Sequence, residues 1–187
     1  MRLHSLTDQI PKIFYFNVEQ RLTGGGGDLS QGAIDRAFAN KCRVTTNYAD
    51  FDGQQVVKLN GQNTRRLGVV EMQIAEATLS VTDIERTLID GIVRPVYSGG
   101  IGEVVAAFQA AEKADLEKLA TYLEKVNFTY PYHQAIGFCL QKTGRYSPAE
   151  LEPFRSNIVF NFYLGYQIKN PGYVKEWKLF VPKGLEL

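Results

Sequence analysis

The chain has 187 residues, of which 44% are hydrophobic and 12% aromatic, enough to bury a core without disulfides or metals. Its 21 basic and 20 acidic side chains leave a formal net charge of +1, so binding of nucleic acid or of a membrane surface requires a local patch. No apolar stretch approaches the roughly 20 residues that span a bilayer, and the N-terminal residues MRLHSLTDQIPK lack the apolar segment of a signal peptide. The two cysteines, Cys42 and Cys139, have no CxxC or Cys/His spacing around them, which predicts a reduced, cytoplasmic protein.

The first part of the chain contains short runs of residues that are typical of strands. Residues 12–18, KIFYFNV, follow Pro11 and are rich in β-branched and aromatic side chains. The other predicted strands span 42–48, 54–60, 67–73 and 77–81. Asp52-Gly53 and Asn60-Gly61 are predicted to be turns between them. The four glycines Gly24 to Gly27 predict a mobile loop or an insertion within residues 22–33.

Near Thr82 the period of the apolar residues changes from two to 3.6, the period of an α-helix. The predicted helices span 83–94, 100–112, 115–127, 131–143 and 148–156, and a final strand is predicted at 177–182. Asp115 is a predicted N-cap, and SPAE at 147–150 has the Ser, Pro and Glu of a capping box. Strands first and helices afterwards predict an α+β fold, in which a strand-rich half, 1–81, packs against a helical half, 82–187.

The segment SVTDIERTLIDGI, residues 80–92, concentrates charged residues at the start of a predicted helix. At about 100° per residue, the polar side chains share one arc of this helix and the apolar side chains the opposite arc. The polar arc consists of Asp83, Arg86, Thr87, Asp90 and Arg94. Because Arg86–Asp90 and Asp90–Arg94 are both i,i+4 neighbours, we predict a charge ladder on the exposed or partner-facing side.

Glu85 departs from this pattern because it projects from the middle of the apolar arc. A buried carboxylate without a partner is costly. Thr82 at the N-cap and Glu85 at N3 match a capping box, so we predict that Glu85 bonds back to the backbone of Thr82. Glu85 and Asp90 point about 140° apart on the helix, which disfavours a catalytic pair.

Other motifs offer little catalytic chemistry. The glycine run is followed by Asp28 rather than by Gly-Lys-Ser/Thr, so it lacks the pattern of a phosphate-binding loop. His4 and His133 have no HxxxH or HExxH partner, and we expect structural roles for both. The sequence therefore predicts no enzyme, no cofactor and no metal, with catalysis by carboxylates and a divalent metal as the less favoured alternative.

Two segments are candidates for interaction surfaces. Residues 60–68, NGQNTRRLG, carry Arg65 and Arg66 beside amides, a composition that suits phosphates or an acidic partner. A solvated hairpin tip is the simpler interpretation of this loop. Residues 127–138 are rich in aromatic side chains, which are typical of a core and, where exposed, mark an interface. The aromatic residues are Phe128, Tyr130, Tyr132 and Phe138.

Four segments together resemble the C-terminal antitoxin domain of the AbiEi family of bacterial type IV toxin–antitoxin and abortive-infection systems. They are SLTDQIPKIFYF (5–16), LSVTDIERTLIDGIVRP (79–95), SGGIGEVVAAF (98–108) and WKLFVP (177–182). The centre of the resemblance is the motif VT-x-x-ERTL-x-D followed by GG, and LTDQIP reinforces it. Residues 20–75 match the family only loosely.

The resemblance implies a cytoplasmic bacterial protein that neutralises a nucleotidyltransferase toxin encoded beside it, with no stable complex required. In the family it also implies an N-terminal winged-helix domain that binds and represses the promoter of the operon. This chain begins almost at LHSLTDQIP, and we expect that domain to be absent from it, either because the chain is a fragment of a longer protein or because it is a shortened member of the family. Contacts with a partner or with DNA are then expected from Arg65, Arg66, Arg86, Asp90 and Arg94. A non-catalytic assembly module of a DNA-binding regulator is the alternative from a different class.

Overall fold

A computed structural model describes residues 1–21, 28–112 and 114–185 of the chain. Two sheets lie in the N-terminal half, and most helices, with a third small sheet, lie in the C-terminal half, which confirms the predicted α+β fold. The loop predicted around Gly24 to Gly27 lies outside the described residues. In the described part of the chain, no helix combines the length and the apolar composition needed to cross a bilayer.

The strand-rich half contains two small sheets. In the first sheet the order is β1-β3-β2, with β3 parallel to β1 and antiparallel to β2. The second sheet is an antiparallel hairpin of β4 and β5. Asp52 and Gly53, with positive φ angles of 48° and 73°, form the predicted turn between β2 and β3. The strands are β1 (Ile13–Gln20), β2 (Tyr48–Phe51), β3 (Gln54–Gln62), β4 (Val69–Ile74) and β5 (Ala77–Thr82).

Two predictions for this half were wrong. Asn60-Gly61 is not a turn but part of β3, because β3 continues alongside β1 and the Asn17 amide lies where a Cβ of Gly61 would be. The predicted strand 42–48 is irregular up to Asn47, and the backbone N–H of Thr45 donates to the Tyr97 hydroxyl at 2.8 Å. The sheet therefore begins later in this segment than the residue types suggest.

A helix that the sequence did not predict follows the glycine run. This helix, α1 (Gln31–Ala39), begins after Ser30, whose side chain accepts a hydrogen bond from the backbone N–H of Ala33. Its residues Ile34 and Phe38 are buried in the core. A nine-residue helix is marginal by itself, so tertiary packing of this apolar face decides that it forms.

The helical half has the predicted order of helices. Asp115 caps α4 as predicted, since its carboxylate accepts a hydrogen bond from the backbone N–H of Lys118 at 3.0 Å. Ser147 and Glu150 make the reciprocal bonds of a capping box, but α6 starts only at Glu152 and is shorter than predicted. The helices are α2 (Ile84–Val93), α3 (Ile101–Ala110), α4 (Leu116–Val126), α5 (Tyr132–Lys142) and α6 (Glu152–Arg155).

The chain ends in a third small sheet of order β6-β8-β7. Its strands are β6 (Phe162–Tyr163), β7 (Gly172–Val174) and β8 (Leu179–Val181). The predicted final strand is thereby confirmed as β8, although Trp177 belongs to the 3-10 turn before it.

The hydrophobic core surrounds α5, which contacts α2, α3, α4, α6 and β6. Gly137 of α5 is in contact with the Trp177 ring and with Phe154, and a Cβ at this position would collide with both. The largest fully buried side chains are Trp177, Phe108, Phe154 and Phe162. In contrast, Val57 is the one buried hydrophobic residue of β1 to β5. The core therefore consists mainly of the helical half, to which the first half adds Leu6, Ile34 and Phe38.

Candidate partner-binding site

The start of α2 is set by Asp83 and not by Thr82. The Asp83 carboxylate accepts a hydrogen bond from the backbone N–H of Arg86 at 2.9 Å, which makes Asp83 the N-cap. Thr82 is the last residue of β5, where it pairs with Val69. The predicted capping box of Thr82 and Glu85 is therefore wrong, because the backbone of Thr82 still belongs to the sheet.

Glu85 links α2 to the start of α4 instead of capping its own helix. It is 5% exposed, and its Oε1 accepts a hydrogen bond from the backbone N–H of Asp115 at 3.0 Å. Its Oε2 lies 2.9 Å from Lys118 Nζ. The backbone N–H of Asp115 and the ammonium group of Lys118 thus satisfy the carboxylate of Glu85, which the sequence placed in the apolar arc.

Asp83 and Glu85 share the same lysine. Lys118 Nζ lies 3.0 Å from Asp83 Oδ2, to which the Tyr122 hydroxyl also donates at 2.8 Å. The hydrogen bond to Glu85 and the proximity of Asp83 raise the pKa of Lys118, whereas partial burial acts in the opposite direction. We call Asp83, Glu85, Lys118 and Tyr122 the charge cluster. It is satisfied internally, which favours a structural role over catalysis.

Arg86 is buried, although its polar arc was predicted to lie on the exposed or partner-facing side of the helix. It is 8% exposed, and its Nε donates to Asp90 Oδ1 at 2.9 Å, so the predicted Arg86–Asp90 pair does form. Its Nη1 donates to the backbone carbonyl of Leu67 at 3.0 Å and lies 3.2 Å from Thr64 Oγ1. Arg86 is thus a positioning residue beneath the arginine loop, the name used here for residues 63–68.

A second charged group, Glu19 of β1, holds the arginine loop from the other side. Its carboxylate accepts hydrogen bonds from the backbone N–H of Thr64 at 3.0 Å and of Arg66 at 3.2 Å, and from the Thr64 hydroxyl. Partial burial acts to raise the pKa of Glu19, but these hydrogen bonds and the charge of Arg86 outweigh it and lower the pKa. The loop is therefore fixed between β1 and α2.

Arg65 and Arg66 form the exposed tip of the arginine loop. Both have left-handed backbone conformations, with φ angles of 54° and 59°, and each such non-glycine residue costs about 1 kcal/mol. Arg66 Nη2 donates to the Ser80 hydroxyl at 2.9 Å. Neither guanidinium forms an ion pair in the described part of the chain. Strain of this kind marks the loop as a candidate for function.

The structure brings four of the five predicted contact residues together and leaves Arg94 apart. Asp90 is linked to the arginine loop through Arg86, and its side chain is 45% exposed. Arg94 lies at the other end of α2, where its Nη1 donates to the carbonyl of Arg43 at 3.3 Å. The predicted Asp90–Arg94 ion pair is absent from the described residues, because Arg94 is the C-cap and its backbone leaves the helix.

Sequence reasoning missed Glu19, Lys118 and Tyr122, which hold this region together. Glu19 lies 45 residues from Thr64, and Tyr122 lies 39 residues from Asp83. No spacing rule connects residues at such separations. The N-cap Asp83 did carry a signal, because Asp is as good a cap as Thr and stands directly before the first helical residue.

The aromatic segment 127–138 belongs to the core. Tyr132 and Phe138 are buried, and Phe128 and Tyr130 are half-buried and packed against the core. This placement counts against assembly through exposed aromatic residues of this segment. A groove of about 670 Å³ lies beside it, and His133, whose pKa is lowered by burial, lines the groove.

Residues 1–21, 28–112 and 114–185 contain no group of three or more His, Cys, Asp and Glu side chains that could hold a metal ion. No model of a known protein family matches the chain, and no curated protein matches it significantly. The resemblance to the AbiEi family therefore stays a prediction.

Proposed function

We propose that this chain is the antitoxin and regulatory domain of a bacterial type IV toxin–antitoxin system, which neutralises a nucleotidyltransferase toxin without being an enzyme itself. The resemblance in residues 5–16, 79–95, 98–108 and 177–182 is the basis of this proposal. One structural observation supports it: these four segments, which range from residue 5 to residue 182, all contribute to one packed core.

Each of the four segments contributes a buried residue to the same core. These residues are Leu6, Leu88, Val104 and Trp177. The Thr7 hydroxyl also donates to Glu103 at 2.8 Å, which ties the first segment to the third. Gly91 of α2 lies against Val104 of α3, where a Cβ would approach its methyl groups to 3.3 Å. The resembling segments thus form the frame of one body, as expected for segments that define a domain.

The surface proposed to act on the toxin is the arginine loop with Asp90 beside it. Two exposed guanidinium groups on a loop held by Glu19 and Arg86 suit a phosphate or a carboxylate of a partner, since guanidinium binds both in a bidentate manner. Arg94 is proposed as a separate contact at the end of α2. Any binding of promoter DNA by this chain would use the same arginines and weaken with salt.

Rescue of bacterial growth tests this proposal. The chain is co-expressed with the nucleotidyltransferase encoded beside its gene, and growth is measured with and without it. We expect the wild type to restore growth and the double variant Arg65→Glu/Arg66→Glu to lose rescue by about tenfold or more, because reversal removes both guanidinium groups.

The double variant Lys125→Glu/Lys169→Glu is the matched control, because it makes the same charge change at two other exposed positions. It should rescue like the wild type, and circular dichroism should show the same fold for both variants. A wild type that fails to rescue, or the lack of a nucleotidyltransferase gene beside this one, would refute the antitoxin function. Equal rescue by both double variants would refute the arginine loop as its surface.

A further inference from the structure

One face of the three-stranded sheet exposes a row of apolar side chains. Phe14, Phe16 and Val18 alternate along β1 and are 48%, 48% and 36% exposed. The residues between them point to the other face, where the Tyr15 ring lies 5.3 Å from the Tyr97 ring. The row therefore lies on one face of β1 and is exposed to solvent, and exposed apolar patches of this kind mark interaction sites.

β1 is also an unprotected edge strand. Within the described residues its only partner strand is β3, so its outer backbone N–H and C=O groups have no strand beside them. Proteins usually protect such an edge with lysine, proline or a bulge. The eight residues of β1 include neither lysine nor proline. Glu19 is the one acidic residue of β1, and its carboxylate already accepts hydrogen bonds from Thr64 and Arg66.

The sequence of β1 is complementary to itself. When two copies pair antiparallel about a two-fold axis at Phe16, their apolar faces lie on the same side of the joint sheet. Phe16 then faces Phe16 of the second copy, and Phe14 faces Val18. Lys12 faces Gln20 and Ile13 faces Glu19, so no like charges oppose each other. The apolar row continues across the junction without a break.

We propose that β1 is a docking surface for a second copy of this chain, which adds its own β1 antiparallel and joins two three-stranded sheets into one of six strands. Strand addition of this kind combines main-chain hydrogen bonds with matched side chains.

The expected affinity of the dimer follows from the surface area that the pairing buries. With roughly 200 Å² per aromatic side chain, four half-exposed phenylalanines offer on the order of 400 Å². Stable interfaces bury about 1,200–2,000 Å², so this row and two paired strands fall at or below the lower end. We therefore expect a reversible dimer with a Kd in the micromolar range.

Sedimentation velocity over about 1 to 500 µM protein tests the proposal, and we expect the monomer to convert to dimer across this range. Phe16→Glu and Phe16→Lys each place like charges opposite each other at the axis and should abolish the dimer when measured alone. An equimolar mixture of the two variants should restore it, because opposite charges then meet at the axis.

Phe51→Glu is the matched control, since Phe51 is 74% exposed in β2 at the opposite edge of the sheet and should not affect dimerisation. Crosslinking covers the case in which a charged variant misfolds: in a Cys42→Ser background, Phe16→Cys should form a disulfide-linked dimer under mild oxidation and Phe51→Cys should not. A monomer at all concentrations, a dimer that survives Phe16→Glu, or equal loss with Phe51→Glu would overturn the proposal. A monomer that captures an added peptide at this edge would assign it to another partner.

Discussion

The helical half and the strand-rich half are stabilised by different interactions. The helical half buries Trp177, Phe108 and Phe154 completely, and its helices pack around α5. Strands β1 to β5 bury one hydrophobic side chain, Val57, and expose several aromatic ones. Sheets of two or three strands are marginal unless they pack on something else. The strand-rich half therefore depends on its attachment to the helical half.

The strands themselves are attached largely by polar contacts, whereas Leu6 and the α1 residues Ile34 and Phe38 join the hydrophobic core. The backbone N–H of Asp83 donates to the carbonyl of Gly68 at 2.7 Å, and the Gln62 amide donates to the carbonyl of Val126 at 3.0 Å. Arg86 and Glu19 hold the arginine loop from two sides. Apolar burial thus stabilises the core, and hydrogen bonds and charges attach the strands to it. This difference predicts which substitutions unfold the protein and which respond to pH.

The largest difference in the free energy of unfolding is expected between two variants that each truncate a phenylalanine, one in the helical half and one in the strand-rich half. Phe108→Ala, at 1% exposure in α3, should lower the free energy of unfolding by about 3–5 kcal/mol because it leaves a cavity. Phe51→Ala, at 74% exposure in β2, should change it by less than about 0.5 kcal/mol. Urea unfolding of both variants measures the difference. Similar losses would contradict the assignment of the core to the helical half.

A smaller loss is expected in the charge cluster at the junction. Lys118→Met leaves the carboxylates of Asp83 and Glu85 buried without their cation, which should cost about 2–3 kcal/mol, less than for a fully buried pair because water reaches Lys118. Since the folded-state pKa of Lys118 is raised, its contribution is fully present below the unfolded value of about 10.4 and is lost as the pH rises through the folded value.

Lys125→Met is the control for this change, because Lys125 is exposed on the same helix. It should leave the free energy of unfolding within about 0.5 kcal/mol of the wild type. The deficit of Lys118→Met should shrink at alkaline pH, as the wild-type lysine loses its charge. A deficit that does not depend on pH would show that lost packing of the lysine stem, and not charge, causes it.

The smallest effect is expected at Glu19. Glu19→Gln removes the charge from the hydrogen bonds to Thr64 and Arg66 and should cost about 1 kcal/mol. Because the folded-state pKa of Glu19 is lowered, its contribution is present above the unfolded value of about 4.3 and is lost as the pH falls through the folded value. The difference between variant and wild type should therefore vanish in acid.

Glu71→Gln on exposed β4 is the comparison for Glu19→Gln and should have almost no effect at any pH. Hydrogen exchange of the Arg66 amide gives a second measurement, since this amide donates to Glu19. Its exchange should accelerate in Glu19→Gln and stay unchanged in Glu71→Gln. Unchanged protection in both variants would mean that Glu19 does not hold the arginine loop.

Long periodic segments were predicted well from sequence. The bounds of α2, α3, α4 and α5 differ from the predicted ones by one or two residues, because each apolar stripe repeats over several turns. Short elements were not predicted well. Helix α1 follows a glycine run and depends on burial of Ile34 and Phe38, and the segment 42–48 has strand-forming residues but a hydrogen bond to Tyr97 in place of a ladder.

The candidate site was predicted only in part for a related reason. The exposure of Arg65 and Arg66 follows from their place in a loop, and the Arg86–Asp90 pair follows from i,i+4 spacing. The choice between Thr82 and Asp83 as the cap depended on whether β5 had ended, which is a property of the sheet. The burial of Arg86 depended on the arginine loop folding over α2.

By itself, the sequence determined the α+β order of elements, the apolar faces of the long helices and the Arg86–Asp90 pair, because these depend on neighbours within a few residues. Tertiary structure alone decided the partner of each isolated charge. Glu85 bonds Asp115, and Glu19 bonds Thr64, across 30 and 45 residues of chain. A buried charge is stable only when it is paired, and its partner is whichever group the fold brings close. No local sequence pattern predicts that partner.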